Sequence, residues 1–153
     1  LPIFVTENGV ADATDILRPS YILEHLTALS FAIKDQVPVL GYIFWTVSDN
    51  WEWADGYCPK FGLVDVDRKN NLKRTPRSSY FLFQKIILNN SFDESDRAKA
   101  WQNIVSHKGQ PRPFCRKEDG LGSYDEPIQR PIQGRDWRFQ LPADKSKSNF
   151  SIF

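Results

Sequence analysis

Val39-Leu-Gly-Tyr-Ile-Phe-Trp-Thr-Val-Ser-Asp-Asn-Trp-Glu-Trp53 is the stretch whose reading decides the fold. Up to Val47 it is almost continuously apolar rather than alternating, the pattern of a strand buried on both faces in a parallel sheet covered by helices. Upstream, Leu1-Pro-Ile-Phe-Val-Thr-Glu-Asn-Gly9 holds a shorter apolar run over residues 3 to 6 that ends at Thr6 or Glu7, before an Asn-Gly turn. Between the two runs, Ile22, Leu26, Leu29 and Ile33 recur at helical spacing from Pro19 to Lys34. Asp15 or Thr14 is the expected cap of that helix, and Pro38 closes it. Strand, amphipathic helix and strand make a βαβ unit, so the class is α/β. Two parallel strands leave unpaired edges and cannot bury a sheet core, so partners are expected upstream.

Downstream of the second run, residues 48 to 60 read as a long loop. Phe61-Gly-Leu-Val-Asp-Val-Asp67 reads as a hairpin arm or irregular strand. Thr75 and Pro76 suit an N-cap and first turn. Tyr80, Phe83 and Ile87 would form the inward stripe of a second helix ending near Asn89. Two regions follow, residues 1 to 90 and an extension over 91 to 153. The extension begins with a polar helix over 91 to 108, anchored by Trp101 and Ile104. It then becomes Pro-, Gly- and charge-rich, with too little apolar surface for its own core. It is expected to lie over a larger body and to fray over its last ten or so residues.

Composition excludes several classes. The net charge is +1 over 153 residues with scattered Lys and Arg, which argues against a nucleic-acid surface. No apolar run is long enough to span a membrane. The chain opens inside a strand without an initiator methionine, as a fragment or processed product would. Cys58 and Cys115 are too few and too far apart for a disulfide scaffold or zinc site, so two unpaired thiols are expected. His25 reads as a packed or surface helix residue, and His107 has no partner at ligand spacing. No metal site, nucleotide loop or nucleophile-elbow serine is assigned. Asn89-Asn-Ser91 and Asn149-Phe-Ser151 match the glycosylation triplet, a weak pattern with meaning only in a secreted protein.

The aromatic content is the unusual feature: 14% of residues, with Trp45, Trp51 and Trp53 close together among polar groups. Indole rings beside carboxylates suit a sugar, whose C–H faces are apolar and whose hydroxyls need hydrogen-bond partners. The same rings would also serve to close a core beneath a loop. Glu7 stands where a buried strand gives way to a loop, the catalytic rim in a (β/α) barrel. There it is either a positioned nucleophile or base, or a capping or surface glutamate. Asp49 and Asn50 read as supports rather than catalysts.

Thr6-Glu7-Asn8-Gly9, Arg18-Pro-Ser-Tyr-Ile-Leu-Glu-His-Leu26, Gly41 through Trp53, Gly56-Tyr57, Lys60-Phe-Gly-Leu63, Val66-Asp67 and Arg74-Thr-Pro76 together resemble the C-terminal part of the family 1 glycoside hydrolases, the β-glucosidase family. The resemblance implies strands 7 and 8, with their helices, of a (β/α)8 TIM barrel, plus an irregular C-terminal extension. It makes Glu7 the catalytic nucleophile and Trp45 the platform under the sugar. Glu52 and Trp53 become the pair that binds outer hydroxyls, and Phe61 an aromatic at the pocket edge. Asn8, Asp49 and Asn50 become supports. The family's acid/base glutamate belongs to an Asn-Glu-Pro triplet, which does not occur here, so the piece alone is expected to be inert.

Lys108-Gly-Gln-Pro-Arg-Pro-Phe114 and Arg130-Pro through Arg135-Asp-Trp-Arg-Phe139 narrow the resemblance to plant galactosyltransferases of that family. These move β-galactosyl groups between monogalactosyl-diacylglycerols at the chloroplast outer envelope membrane under freezing stress. The implied partners are a galactolipid or other β-glycoside, with membrane association of the parent and no nucleic acid. No cofactor is implied beyond stimulation by a divalent cation such as magnesium, for which no site is identified. A β-glucosidase or β-galactosidase, cytoplasmic or secreted, is the alternative, because hydrolysis shares the first half-reaction. Leu141 to Phe153 departs from the pattern, as an alternative or truncated end would.

Overall fold

The computed structural model describes residues 1–116, 127–143 and 149–152. Its first unit is the parallel pair of β1 (Ile3–Asn8) and β2 (Val39–Phe44), joined through α1 (Arg18–Lys34). Strand β1 runs to Asn8 because that residue still pairs with Phe44. The cap of α1 is Asp12 rather than Asp15 or Thr14: its carboxylate accepts from the backbone N–H groups of Leu17 at 2.7 Å and Arg18 at 3.1 Å. Asp15 instead accepts from the Arg18 guanidinium and from the N–H and hydroxyl of Ser79, tying two helix starts together. Past Lys34, Gln36 takes a left-handed φ of 63° and the helix stops.

Ile22, Leu23 and Leu26 bury the inner face of α1 against Phe44 and Leu63. Strand β2 is not buried on both faces. Tyr42 and Phe44 pack into the helix-side core and Gly41 lies against the Phe4 ring, while Leu40 and Ile43, with Ile3 and Phe4 of β1, stay about half exposed or more. The continuously apolar run thus has one face covered by described residues and one open, as in a partial (β/α)8 barrel. The run also leaves the strand at Phe44. Beyond it, Thr46 and Val47 bond to a crossing segment, where the N–H groups of Leu63 and Val64 donate to their carbonyls at 2.9 Å.

A hairpin of β3 (Val64–Asp67) and β4 (Lys73–Pro76) follows. Thr75 and Pro76 are therefore strand residues paired with Asp65 and Val64, not a helix cap. Helix α2 (Ser78–Asn89) starts after an extended Arg77 and is capped from outside by Asp15. Its inward residue is Ile86, 2% exposed, whereas Ile87 is 63% exposed. The inward stripe therefore runs through Ser79, Phe83 and Ile86, with Tyr80 and Leu82 packed beside it, and leaves Ile87 outside.

The extension is built into this body. Strand β5 (Ser91–Asp93) leads into α3 (Glu94–Ser106), whose start is a capping box of Asp93 and Asp96. Ile104 is buried, while Trp101 meets Trp137 edge-on at 5.7 Å. Arg97 of α3 forms a buried ion pair with Glu24 of α1. A hairpin of β6 (Pro111–Phe114) and β7 (Ile128–Pro131) lies further on. The end of the chain does not fray throughout: β8 (Asn149–Ser151) pairs with β5, and Phe150 and Ile152 are buried in the main core, with Phe150 stacked on Phe92 at 5.0 Å. Apolar residues too sparse for a core of their own complete that of the barrel unit. Residues 144–148 and 153 of that end lie outside the described residues.

Cys58 and Cys115 are not free thiols but a disulfide, with Cα atoms 5.7 Å apart. Strand β6 brings Cys115 alongside the loop that carries Cys58. His25 and His107 each hold Nδ1 against a carbonyl one helical turn back, Tyr21 at 2.8 Å and Asn103 at 2.7 Å. Among the described residues, no helix is long and apolar enough to cross a membrane.

Candidate active site

The two parallel strands open at the same end, and the candidate residues gather there. The Trp45 N–H donates to the Asn8 carbonyl at 2.9 Å, so the chain segments leaving β1 and β2 stay bonded past the sheet. This approach requires Gly9, because a Cβ there would stand 1.7 Å from the Trp45 carbonyl oxygen. The Tyr42 hydroxyl donates to Asn8 Oδ1 at 2.8 Å. Burial pushes the Tyr42 phenol well above its ordinary range, so it remains a donor and fixes the amide. Glu7 sits between these anchors and is exposed at the opening.

From β2 the Trp45 indole N–H donates to Glu52 Oε1 at 3.1 Å. Partial burial raises the Glu52 carboxyl above its ordinary range, the Trp45 hydrogen bond opposes that shift, and the charge of Glu7 adds to it. Two carboxylates therefore share one opening, with an indole between the second and the strand. Trp53 lies in a short turn (Trp53–Asp55) with a φ of 49° and is 82% exposed. Trp51 is half exposed and meets Tyr57 edge-on at 4.9 Å. Neither ring closes a core.

Asp49 is a buried support. Its carboxylate accepts from the N–H of Gly62 at 2.9 Å, the N–H of Val66 at 3.4 Å, and both terminal nitrogens of Arg77 at 3.1 and 2.9 Å. It ties the β2 exit to the β3–β4 hairpin and to α2. Asn50 is half-buried. Phe61 is half-buried and accepts at its carbonyl from the Thr46 N–H at 3.4 Å. Tyr42 and Arg77 were not among the residues the sequence singles out. A tyrosine inside an apolar run reads as core, and an arginine after a proline reads as surface. The acidic Asp49 was the only signal for Arg77.

Chemically, the opening offers an exposed carboxylate on a rigid strand, a second partly buried carboxylate, and two indole rings. Among the described residues there is no group of three or more His, Cys, Asp or Glu that would hold a metal ion.

The family model described as Glycosyl hydrolase family 1 matches residues 1–92. The "Beta-glucosidase-like SFR2, chloroplastic" of Oryza sativa subsp. japonica is 53% identical over 146 residues, 91% of this chain and 23% of that protein. The "Galactolipid galactosyltransferase SFR2, chloroplastic" of Arabidopsis thaliana is 52% identical over 146 residues, 91% of this chain and 24% of that protein. The chain thus spans about a quarter of the length of these curated relatives. Among solved structures, the β-glucosidase of Pyrococcus furiosus superposes with a TM-score of 0.62 at 42% identity, covering 65% of this chain and 21% of that one. The β-glycosidase of Thermosphaera aggregans does so with a TM-score of 0.61 at 40% identity, covering 65% of this chain and 21% of that one.

Proposed function

Because the chain belongs to glycosyl hydrolase family 1, we propose that it carries the nucleophile half of a retaining site that moves β-galactosyl groups between monogalactosyl-diacylglycerols. Glu7 attacks the anomeric carbon while a carboxylic acid from the rest of the enzyme protonates the departing glycerol oxygen. The glycosidic bond breaks, a glycosyl–Glu7 ester forms, and diacylglycerol leaves. A hydroxyl of a second galactolipid, deprotonated by the same acid/base, then displaces Glu7. Trp45 stacks under the sugar ring, Glu52 and Trp53 bind its outer hydroxyls, and Phe61 borders the pocket. Asn8, Asp49 and Asn50 hold these groups in place.

The observation that carries this reading is the Asn8–Trp45 backbone bond at 2.9 Å, which joins the exit that carries Glu7 to the exit that carries the Trp45–Glu52 pair. The choice of galactolipid rests on the plant relative's name and on a match that extends through the extension. Both plant relatives are named chloroplastic, which supports a chloroplast membrane as the place of action of the parent. The Asn-Glu-Pro triplet of the family's acid/base is missing from the 153 residues, so this activity belongs to the full-length enzyme.

The test is incubation of the full-length enzyme with labelled monogalactosyl-diacylglycerol. Di- and trigalactosyl lipids should appear, with one diacylglycerol released per galactosyl group moved, and Glu7→Gln should abolish all products. Free galactose as the sole sugar product would instead assign hydrolysis. Retained turnover in the variant would remove Glu7 as nucleophile.

A further inference from the structure

The turn that presents Trp53 is closed on itself by backbone hydrogen bonds: the Glu52 N–H donates to the Gly56 carbonyl at 2.7 Å, the Asp55 N–H to the Glu52 carbonyl at 2.9 Å and the Gly56 N–H to the Trp53 carbonyl at 3.1 Å. Trp53 and Ala54 are exposed. Beyond the Trp45–Glu52 hydrogen bond and Arg68 over the neighbouring Tyr57 ring, two adjacent residues of the extension tie the turn to the body. Cys115 is bonded to Cys58, and Arg116 donates to Asp55 Oδ2 through Nε at 3.2 Å and Nη2 at 2.8 Å. Arg116 is largely solvated, which makes the ionic contact weak, so the covalent bond is the stronger tie. Behind the turn, Phe61, Pro113 and Phe114 line a cavity of about 230 Å³ shared with both cysteines. Non-covalent packing does not fill the space between hairpin and loop.

We propose that Cys58–Cys115, with Arg116 on Asp55, is a thiol-sensitive clasp by which the extension positions Trp53 and Glu52. The assignment of sugar hydroxyls to those two residues rests on the function proposed above. Both cysteines are partly accessible, so a dithiol reaches the bond. In the exchange the S–S bond breaks, each protein sulfur leaves as a thiol, and the dithiol closes to its own disulfide, passing two electrons to the protein. The turn then keeps its internal backbone bonds, the Arg116 contact, the Trp45–Glu52 hydrogen bond and the Arg68–Tyr57 contact, but loses its covalent tie to the extension. Glu7 stands on β1, and Trp45 follows β2 directly and is held by its backbone bond to Asn8, so both are untouched. Reduction therefore weakens sugar binding more than bond cleavage.

Three readouts on the full-length enzyme test this, comparing oxidised protein with protein held in dithiothreitol. Mass spectrometry of alkylated peptides reports whether residues 58 and 115 are joined. Hydrogen exchange at residues 52–57 should accelerate at least tenfold on reduction. KM for an aryl β-galactoside, which needs no lipid acceptor, should rise about tenfold while kcat changes less than threefold. Cys58→Ser with Cys115→Ser should show the reduced-form values in both buffers. Exchange and KM that stay within twofold between verified joined and reduced states overturn the clasp, as does failure of the two sulfurs to join under diamide. A KM shift on the aryl glycoside without lipid transfer supports the clasp and removes only the transferase reading. If neither substrate turns over, the exchange data alone decide.

Discussion

Replacing Glu24 with Ala should release the extension from the barrel unit, and the structure sets how strongly. Glu24 Oε1 accepts from Arg97 Nε at 3.1 Å, and Oε2 accepts from Arg97 Nη2 at 2.5 Å and from the Phe139 N–H at 2.8 Å. Both side chains are almost wholly buried. After truncation the guanidinium keeps Glu94, which is partly solvated, and the Phe139 carbonyl at 2.9 Å, while the Phe139 N–H loses its acceptor. Stranding one member of a buried ion pair costs about 3–5 kcal/mol, and an orphaned amide adds about 1–3 kcal/mol where water does not reach it. The loss falls on opening of α3 and residues 137–141, not on the β1–β2 sheet. Hydrogen exchange in the full-length enzyme reads it: at about 1.4 kcal/mol per tenfold, amides of residues 97–106 should exchange on the order of 10²- to 10⁵-fold faster. Glu24→Leu with Arg97→Met keeps comparable volume without a stranded charge, and should restore most of the protection. Acceleration below about fivefold in the single variant, or a double variant as fast as the single, would refute the account of this pair as the anchor of the extension.

Two further outcomes follow from the site. Gly9→Ala places a Cβ 1.7 Å from the Trp45 carbonyl oxygen, so Trp45 must move relative to Glu7. Steady-state kinetics should show kcat/KM down by about 10²-fold, and a loss of less than threefold would mean that the two strand exits are not rigidly coupled. Burial raises the folded-state carboxyl of Glu52 above its ordinary value of 4.5, so its stabilising contribution is complete below that value and lost as pH rises through the raised one. Glu52→Gln mimics the protonated form and should raise Tm at pH 7 while leaving it unchanged near pH 3; an equal change at both would show that its charge is not the cause.

The parts legible in the sequence are those with local periodicity. The stripe of Ile22 and Leu26 and the two apolar runs give α1, β1 and β2 because their burial is decided within a few residues. The misreadings come where a distant segment decides. Val47 is as apolar as Phe44, yet the strand ends at Phe44 because Leu63 and Val64 bond to Thr46 and Val47 from across the loop. Thr75-Pro76 has the chemistry of a helix start, yet pairing with Val64 and Asp65 claims it for β4. Cys58 and Cys115 are separated by 57 positions, and nothing in that spacing signals that a hairpin brings them together. Phe150 and Ile152 stand in a polar tail, and only distant partners explain their burial: Phe31 and Phe92 for the first, Leu26, Phe44 and Ile86 around the second. At the site, Trp45 and Glu52 stand out as an indole and a carboxylate in one loop, whereas Arg77 is visible only through Asp49.

The candidate residues also divide by what holds them, and the division matches what each would do. Glu7 and Trp45 leave paired strands, and Asp49 locks the second exit through a buried ion pair to Arg77 with an Nη2–Oδ2 distance of 2.9 Å. Groups that must meet an anomeric carbon within a fraction of an ångström need such support. Glu52 and Trp53 sit on a turn whose outer ties come from the extension and whose inner tie is one hydrogen bond to Trp45. Hydroxyl recognition tolerates more play than bond formation, and a turn held from outside the barrel can change its grip without disturbing the nucleophile. On the proposed roles, an extension added to a glycosidase barrel would act on which sugar is held, and for how long, while the strand-borne chemistry stays as it was. On this division, a change confined to the extension should alter KM and acceptor use before it alters the attack by Glu7.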